Sequence, residues 1–498
     1  MENLIYDVGD KVPFKKNIFF ALQQVLSVIV ATMLMPLILD PSGTYLSQSA
    51  ALIGASVGTI VYLCLTKFKS PIFLGSSFGF IAPVATGLSF GYFGILIGAV
   101  FSGLVYVILA ILIKFVGVNW INKLMPPIVI GPVVALIGFN LAGGAINNLM
   151  NTSNGIENYS ILSIFIGLVT FFVTIFISVK GGKKFKLYPF LIGVLAGYLV
   201  SCIFSFFGAI FNVNELKIID FSIFKKIGDF NNWFPKFSFV GFFKEGTEKI
   251  SSFGNIITIF TAYVPIAFVS FAEHIADHKN LGSIINKDLL KDPGLVRTLL
   301  GDGLGSITGA MFGGCPNTTY GESIGCVALS KNASTKTILL ASIMCIIIAF
   351  IYPFGLVIES IPTCVVGGIS IALFGFISVS GLRMFKDFDL NDSKNMFIVA
   401  SIFISGIGGL FLKFGSVEIS NVACALIIGI ISNLLLSYKK GTRLSKNSNL
   451  LEGSKTLDKI TESENCQRYF VEDNLQNDIP KNKNDDLNKK QQKDDNKT

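Results

Sequence analysis

Three acidic residues interrupt otherwise apolar stretches of the chain: Glu273, Asp302 and Glu322. A carboxylate at the centre of a bilayer costs ~2.5 kcal/mol or more on insertion scales, so a functional reading comes first. Glu273 lies in Phe-Ala-Glu-His-Ile-Ala-Asp-His, residues 271–278. His274 and His278 are the only histidines in the chain. Asp277 follows Glu273 by four residues, so a continuous helix puts both acids on one face. Glu322 directly follows Gly321. Carboxylates accept hydrogen bonds from N–H groups, and a buried one can carry a proton. Glu273 is therefore a candidate proton carrier, with Asp277 and His278 as relay groups nearer the cytoplasm. Asp302 stands close to Arg297 in sequence and is expected to make a structural contact or to support the site. His274 is expected to support it from behind.

These acids need a frame that buries them. The chain has 498 residues, of which 51% are hydrophobic and only 14% charged. Soluble domains carry roughly 25% charged residues, and the mean hydropathy is +0.64. The apolar residues fall in blocks of about 17–24, each able to cross a hydrocarbon core. Fourteen candidate spans can be read. The first seven are roughly 17–39, 48–65, 72–88, 93–116, 127–146, 161–179 and 188–211. The second seven are roughly 256–275, 295–312, 318–329, 338–358, 364–382, 396–412 and 422–438.

Charge supports the count. The connections after spans 1, 3, 5, 9 and 11 hold no Lys or Arg, whereas Lys67, Lys69, Lys183, Lys184, Lys331 and Lys336 fall in the alternate ones. By the positive-inside rule both termini are expected in the cytoplasm. The net charge of +8 is thus read as membrane orientation, not nucleic-acid binding. The 212–250 connection mixes signs and is expected outside. Eight cysteines show no CxxC or Cys/His metal spacing, so neither a disulfide framework nor a metal site is expected. The first apolar block is long and lacks a small-residue cleavage site, so no signal peptide is expected. Residues 439–498 are rich in Lys, Asn, Asp, Ser and Gln and read as a disordered tail.

The third span of each half is broken by small residues. One reads P-I-F-L-G-S-S-F-G-F-I-A-P over 71–83, the other G-G-C-P-N-T-T-Y-G-E-S-I-G over 313–325. Freed backbone groups are tolerated inside a membrane only where protein encloses them. Matching breaks in two halves point to a midplane site in a transporter of inverted repeats. Two half-helix N-termini would offer N–H donors, and Ser76 and Ser77 are expected to satisfy the broken backbone. Carboxylates that accept and amides that donate suit a nucleobase such as uracil, with N–H groups and carbonyls on one ring. Phe78 could stack on its face.

Five segments carry a family resemblance: Leu22–Gln24, L-G-S-S-F-G-F-I at Leu74–Ile81, A-E-H-I at Ala272–Ile275, D-P-G-L at Asp292–Leu295 and P-N-T-T-Y-G-E at Pro316–Glu322. On these the chain resembles the uracil permease branch of the nucleobase–cation symporter-2 family over about residues 10–440. The resemblance implies an all-α membrane protein with two inverted seven-span repeats, spans 3 and 10 being broken. It implies a core domain at 17–116 and 256–358, after an N-terminal cytoplasmic segment 1–16. A gate domain follows at 127–211 and 364–438. It also implies uracil–proton symport without a cofactor, an elevator-like movement, and a homodimer in the cell membrane. Substrate contacts are implied at Phe78, Glu273, Tyr320, Gly321 and Glu322. The chain departs from the family at Gln24, where His is frequent, at Asp277, where His can stand, and at Ser323 and Ser330.

Three rival readings are weaker. An ATP-driven pump lacks its GxxxxGK[ST] loop. A membrane enzyme would need a nucleophile–base or metal set. An inorganic-anion exchanger of related fold would not line its site with carboxylates. A purine permease of the same family is the nearest alternative.

Overall fold

A computed structural model of the chain describes residues 4–437, apart from 41–42, 118, 151–158, 183–184, 229–232, 236, 246–252, 387 and 415–416. The expected tail at 439–498 lies outside the described residues.

The first half runs α1 (Phe14–Leu39), α2 (Gln48–Leu65), β1 (Leu74–Ser76), a 3-10 turn (Phe78–Phe80) leading into α3 (Ile81–Leu88), α4 (Gly91–Val116), α5 (Asn119–Leu124), α6 (Pro127–Met150), α7 (Ile161–Lys180) and α8 (Pro189–Ile210). After the short α9 (Ser238–Glu245), the second half runs α10 (Phe253–Ile285), α11 (Leu295–Met311), β2 (Asn317–Thr319), α12 (Gly321–Ser330), α13 (Thr335–Ala349), α14 (Tyr352–Glu359), α15 (Thr363–Met384), α16 (Ser393–Ile407), a hairpin of β3 (Leu412–Phe414) and β4 (Val417–Ile419), and α17 (Asn421–Ser437).

Among the described residues, eight helices are long and apolar enough to cross a membrane, or nine if the bent α13–α14 pair forms one span. The chain is therefore a mostly helical, multi-pass membrane protein. The remaining expected spans are shorter or charged. The turn leading into α3, together with α16 and α17, makes short apolar helices, and α11 carries Arg297 and Asp302. The span expected at 338–358 is sharply bent: α13 and α14 meet at 81°. In contrast, α10 continues past the expected end at 275 to Ile285.

The broken spans are not two split helices. Each begins as a three-residue strand, and the two strands pair antiparallel, with Leu74 opposite Thr319, Gly75 opposite Thr318 and Ser76 opposite Asn317. Pairing lets the non-helical backbone of each half satisfy the other, as a membrane interior requires.

Helices α1, α2, α10 and α11 pack on these strands, with α4 against α10 and α11 and α13 against α1 and α2, and α6, α7, α8, α15, α16 and α17 pack with one another. Small residues set the spacing. A Cβ on Gly54 of α2 would stand 2.3 Å from the carbonyl oxygen of Gly309 in α11, so the two backbones touch only because both residues lack side chains. Membrane helices rely on such close packing, because lipid gives no hydrophobic drive between them. The 212–250 connection is docked at several points. The Ser205 hydroxyl accepts the amides of Ile218 and Ile219 at 3.0 Å, and Lys226 pairs with Glu359 at 3.2 Å.

Gly54→Val should therefore lower stability by about 1–3 kcal/mol through overpacking. Gly143→Ala, where an added Cβ meets nothing within 4 Å, should be neutral. Thermal unfolding of the two purified variants in detergent checks the contrast.

Candidate functional site

The crossing strands hold the site's backbone. The Thr59 hydroxyl of α2 accepts the Leu74 amide at 2.9 Å, and the Ser323 hydroxyl of α12 accepts the Phe73 amide at 3.0 Å. Ser77 donates its amide to the Pro316 carbonyl at 3.0 Å. The Ser76 and Ser77 hydroxyls do not serve the broken backbone as expected: both are buried and neither has a hydrogen-bond partner among the described residues. Thr59 and Ser323, on neighbouring helices, take that role.

Tyr320 locks the crossing. Its hydroxyl donates to the Ser76 carbonyl at 3.0 Å, and its ring lies where a Cβ on Gly75 would be, 2.2 Å away. Only glycine lets strand β1 pass under this ring. Asn317 anchors β2 by donating to the carbonyls of Gly54 at 3.4 Å and Gly305 at 3.3 Å. From α1, Gln24 donates to the Ser323 carbonyl at 3.3 Å.

Two short helical segments start just past the strands, at Phe78 and at Gly321, and neither N-terminus has a side-chain cap. First-turn amides of this kind are donors without intrahelical partners and suit a ligand's acceptor atoms. Phe78, half-buried, begins one of them, and Gly321 and Glu322 begin the other. Turn 78–80, β2 and α12 all pack on α10, which brings both N-termini to the helix that bears Glu273.

On α10, Ile266, Glu273 and Asp277 repeat at helical spacing and share one face. Ile266 lines a narrow recess with Gly79, Ala82, Pro83, Ile137, Asn140 and Ser420. Glu273 is exposed, although Phe271 and His274 beside it are buried. Glu273, Asp277 and Glu322 lie within electrostatic reach of one another. No lysine or arginine pairs with any of them among the described residues. Asp277 is held by the Thr319 hydroxyl, which donates to Oδ2 at 2.5 Å. Thr319 was missed in the sequence; its only signal is its place in the motif that ends at Glu322.

The opposite face of α10 is structural. His274 Nδ1 lies 2.8 Å from Asp302 Oδ2, both side chains fully buried. His274 Nε2 lies 3.1 Å from the Thr298 hydroxyl. Asp302 thus pairs with His274 and not with its sequence neighbour Arg297. His278 is turned the same way, one helical turn on. Its Nδ1 is 2.7 Å from the His274 carbonyl, which only accepts, so Nδ1 carries the proton. Its Nε2 lies 2.6 Å from the Tyr62 hydroxyl, which donates to Ser70 at 2.8 Å. Both nitrogens of His278 are thus engaged away from Asp277.

The comparisons with known proteins can now be set beside this geometry. Residues 15–414 match the model of a family described as a permease family, that of xanthine and uracil permeases. The chain belongs to this nucleobase–cation symporter-2 family. It is a transporter and not an enzyme. Among its relatives, the uracil permease of Bacillus caldolyticus is 35% identical over 440 residues, covering 88% of this chain and 95% of that protein. The uracil permease of Escherichia coli strain K12 is 32% identical over 430 residues, covering 86% and 93%. The transmembrane domain of the cyanobacterium bicarbonate transporter BicA shares the fold, with a TM-score of 0.58 at 14% identity, covering 86% of this chain and all of that one.

The permease's buried pair gives a stability test. His274→Phe leaves the buried Asp302 carboxyl without its hydrogen-bond partner and should destabilise the protein by about 1–3 kcal/mol. Adding Asp302→Leu should recover most of that loss. The thermal midpoints of the single and double variants check it.

Proposed function

We propose that the protein takes up uracil together with a proton, across the cell membrane and into the cytoplasm. The observation that carries this reading is the meeting of Glu273 and Glu322 with two uncapped helix N-termini. The carboxylates accept from the N–H groups of the base, and the amides at Phe78 and Gly321 donate to its carbonyls. The Phe78 ring stacks on one face, with Tyr320 flanking the pocket. Relatives named as uracil permeases, 32–35% identical over most of the chain, favour uracil over a purine.

Proton coupling follows from charge crowding. Glu273, Asp277 and Glu322 gather here, with Asp302 in electrostatic reach of the first two and no cation paired with them among the described residues, and like charges this close cannot all be ionised cheaply. A proton taken up from outside lowers that repulsion as the base binds, and loss of the proton inside weakens its hold. Glu273 is the carrier and Asp277 its relay. No cofactor is needed beyond the proton.

The two helix groups serve as the core and gate domains of an elevator. The core is built from α1–α4 and α10–α14, the gate from α6–α8 and α15–α17, as two inverted repeats of seven spans. The recess between Gly79, Ile266 and Ile137 is lined mainly by small and apolar groups, which suits sliding. Both termini face the cytoplasm, and two copies pair through their gates as a homodimer.

Uptake of labelled uracil into proteoliposomes should saturate and rise when the lumen is alkaline. Sulfate or bicarbonate exchange without base uptake would overturn the reading. Glu322→Gln should weaken uracil binding about 10–100-fold, the worth of a charge-assisted hydrogen bond. Equilibrium binding of labelled base to the purified variant measures this. Glu273→Gln should keep binding and lose gradient-driven accumulation, and normal accumulation would remove it from coupling.

A further inference from the structure

The segment ahead of the first span is built into the fold. The Ile5 and Tyr6 amides both donate to the Lys331 carbonyl, at 2.8 and 3.3 Å. The Ala333 amide donates back to the Tyr6 carbonyl at 2.9 Å, and the Thr335 amide to Val8 at 3.2 Å. The Ser334 hydroxyl donates to the Asp10 carbonyl at 2.9 Å. Asp7 pairs with Lys287, just past the end of α10, at 2.7 Å. Between these bonds Val8 is only 5% exposed. It shares a buried cluster with Leu281 and Ile285 of α10 and with Ile324 and Val327 of α12.

Those two helices carry the site. α10 bears Glu273 and Asp277, and α12 bears Glu322 only a few residues before Val327. α12 is only 10 residues long, and it ends on Lys331 in a left-handed conformation. A helix this short has little stability of its own, so its position comes from what holds its two ends. Strand β2 holds the first. The second is held by residues 5–10, which bond the Lys331 carbonyl and wedge Val8 against the α10 end.

We propose that residues 5–10 form a clasp that fixes α12 against α10 and thereby positions Glu322 for substrate. The proposal rests on the nucleobase reading for its functional consequence. Val8 is a positioning residue, acting through α12. The Asp7–Lys287 pair is half exposed, so it contributes little beside the buried Val8.

Hydrogen–deuterium exchange and uracil binding on the full-length protein in detergent test the clasp together. Val8→Asp should raise exchange of the α12 amides about tenfold, leave α15 unchanged and weaken uracil binding about tenfold. Val8→Ile should match the wild type in both. Should Val8→Asp fail to fold, Val8→Ala gives the same comparison with a smaller change in the same direction. Asp7→Asn should alter either quantity by less than about threefold. Unchanged α12 exchange overturns the clasp, and loosened α12 with unchanged uracil affinity overturns its link to Glu322. Absence of uracil binding by the wild type would sink the nucleobase reading, while the exchange comparison would still decide whether the clasp holds α12.

Discussion

A backbone that leaves its helix inside a membrane must find hydrogen bonds at once, and the rest of this structure depends on how that is solved. Two three-residue strands, more than 200 residues apart in the chain, supply each other's partners. The solution works only if α2 and α11 approach to backbone contact, which Gly54 and Gly309 permit. It works only if Gly75 leaves room for the Tyr320 ring. The two helix starts that follow the strands are then fixed on either side of the crossing, with their first amides unused by side-chain caps. The binding chemistry is a by-product of satisfying the fold.

The acids divide between two faces of one helix. Asp302 and His274 hydrogen-bond each other with both side chains fully buried and tie α10 to α11. Glu273 and Asp277 face the other way, with Glu322 and also Asp302 in electrostatic reach. Buried ionisable groups without a partner are costly, and paired ones add little net stability. The pair on the rear face therefore serves geometry. The cluster in front has no cation beside it among the described residues, and in the proposed function ligand and proton relieve its charge imbalance.

Much of this was legible in the sequence because it is local. Apolar blocks and their alternating lysines announce a multi-pass protein, and the Gly/Pro-rich runs at 71–83 and 313–325 mark the breaks. The four-residue step from Glu273 to Asp277 sets one helix face. What stayed hidden is non-local or too short to have a period. A strand of three residues shows no alternation, so the β1–β2 pairing left no trace. Asp302 sits near Arg297 in the sequence but bonds His274, 28 residues back. His278 looks equivalent to Asp277 on paper, yet one residue is 100° of helix, enough to turn it from the face of Glu273 into the packing. The polar run after Asp277 resembles a loop because it has left the apolar zone, although the helix continues to Ile285.

The central claim is that two membrane-embedded carboxyl groups and two strand-led helix starts enclose one planar base. An experimental structure determined with uracil present tests it most directly. The account predicts the ring between Phe78, Glu273 and Glu322, with its carbonyls within hydrogen-bond distance of the Phe78 and Gly321 amides. A base bound elsewhere, or a Glu273 side chain turned toward lipid, would contradict it.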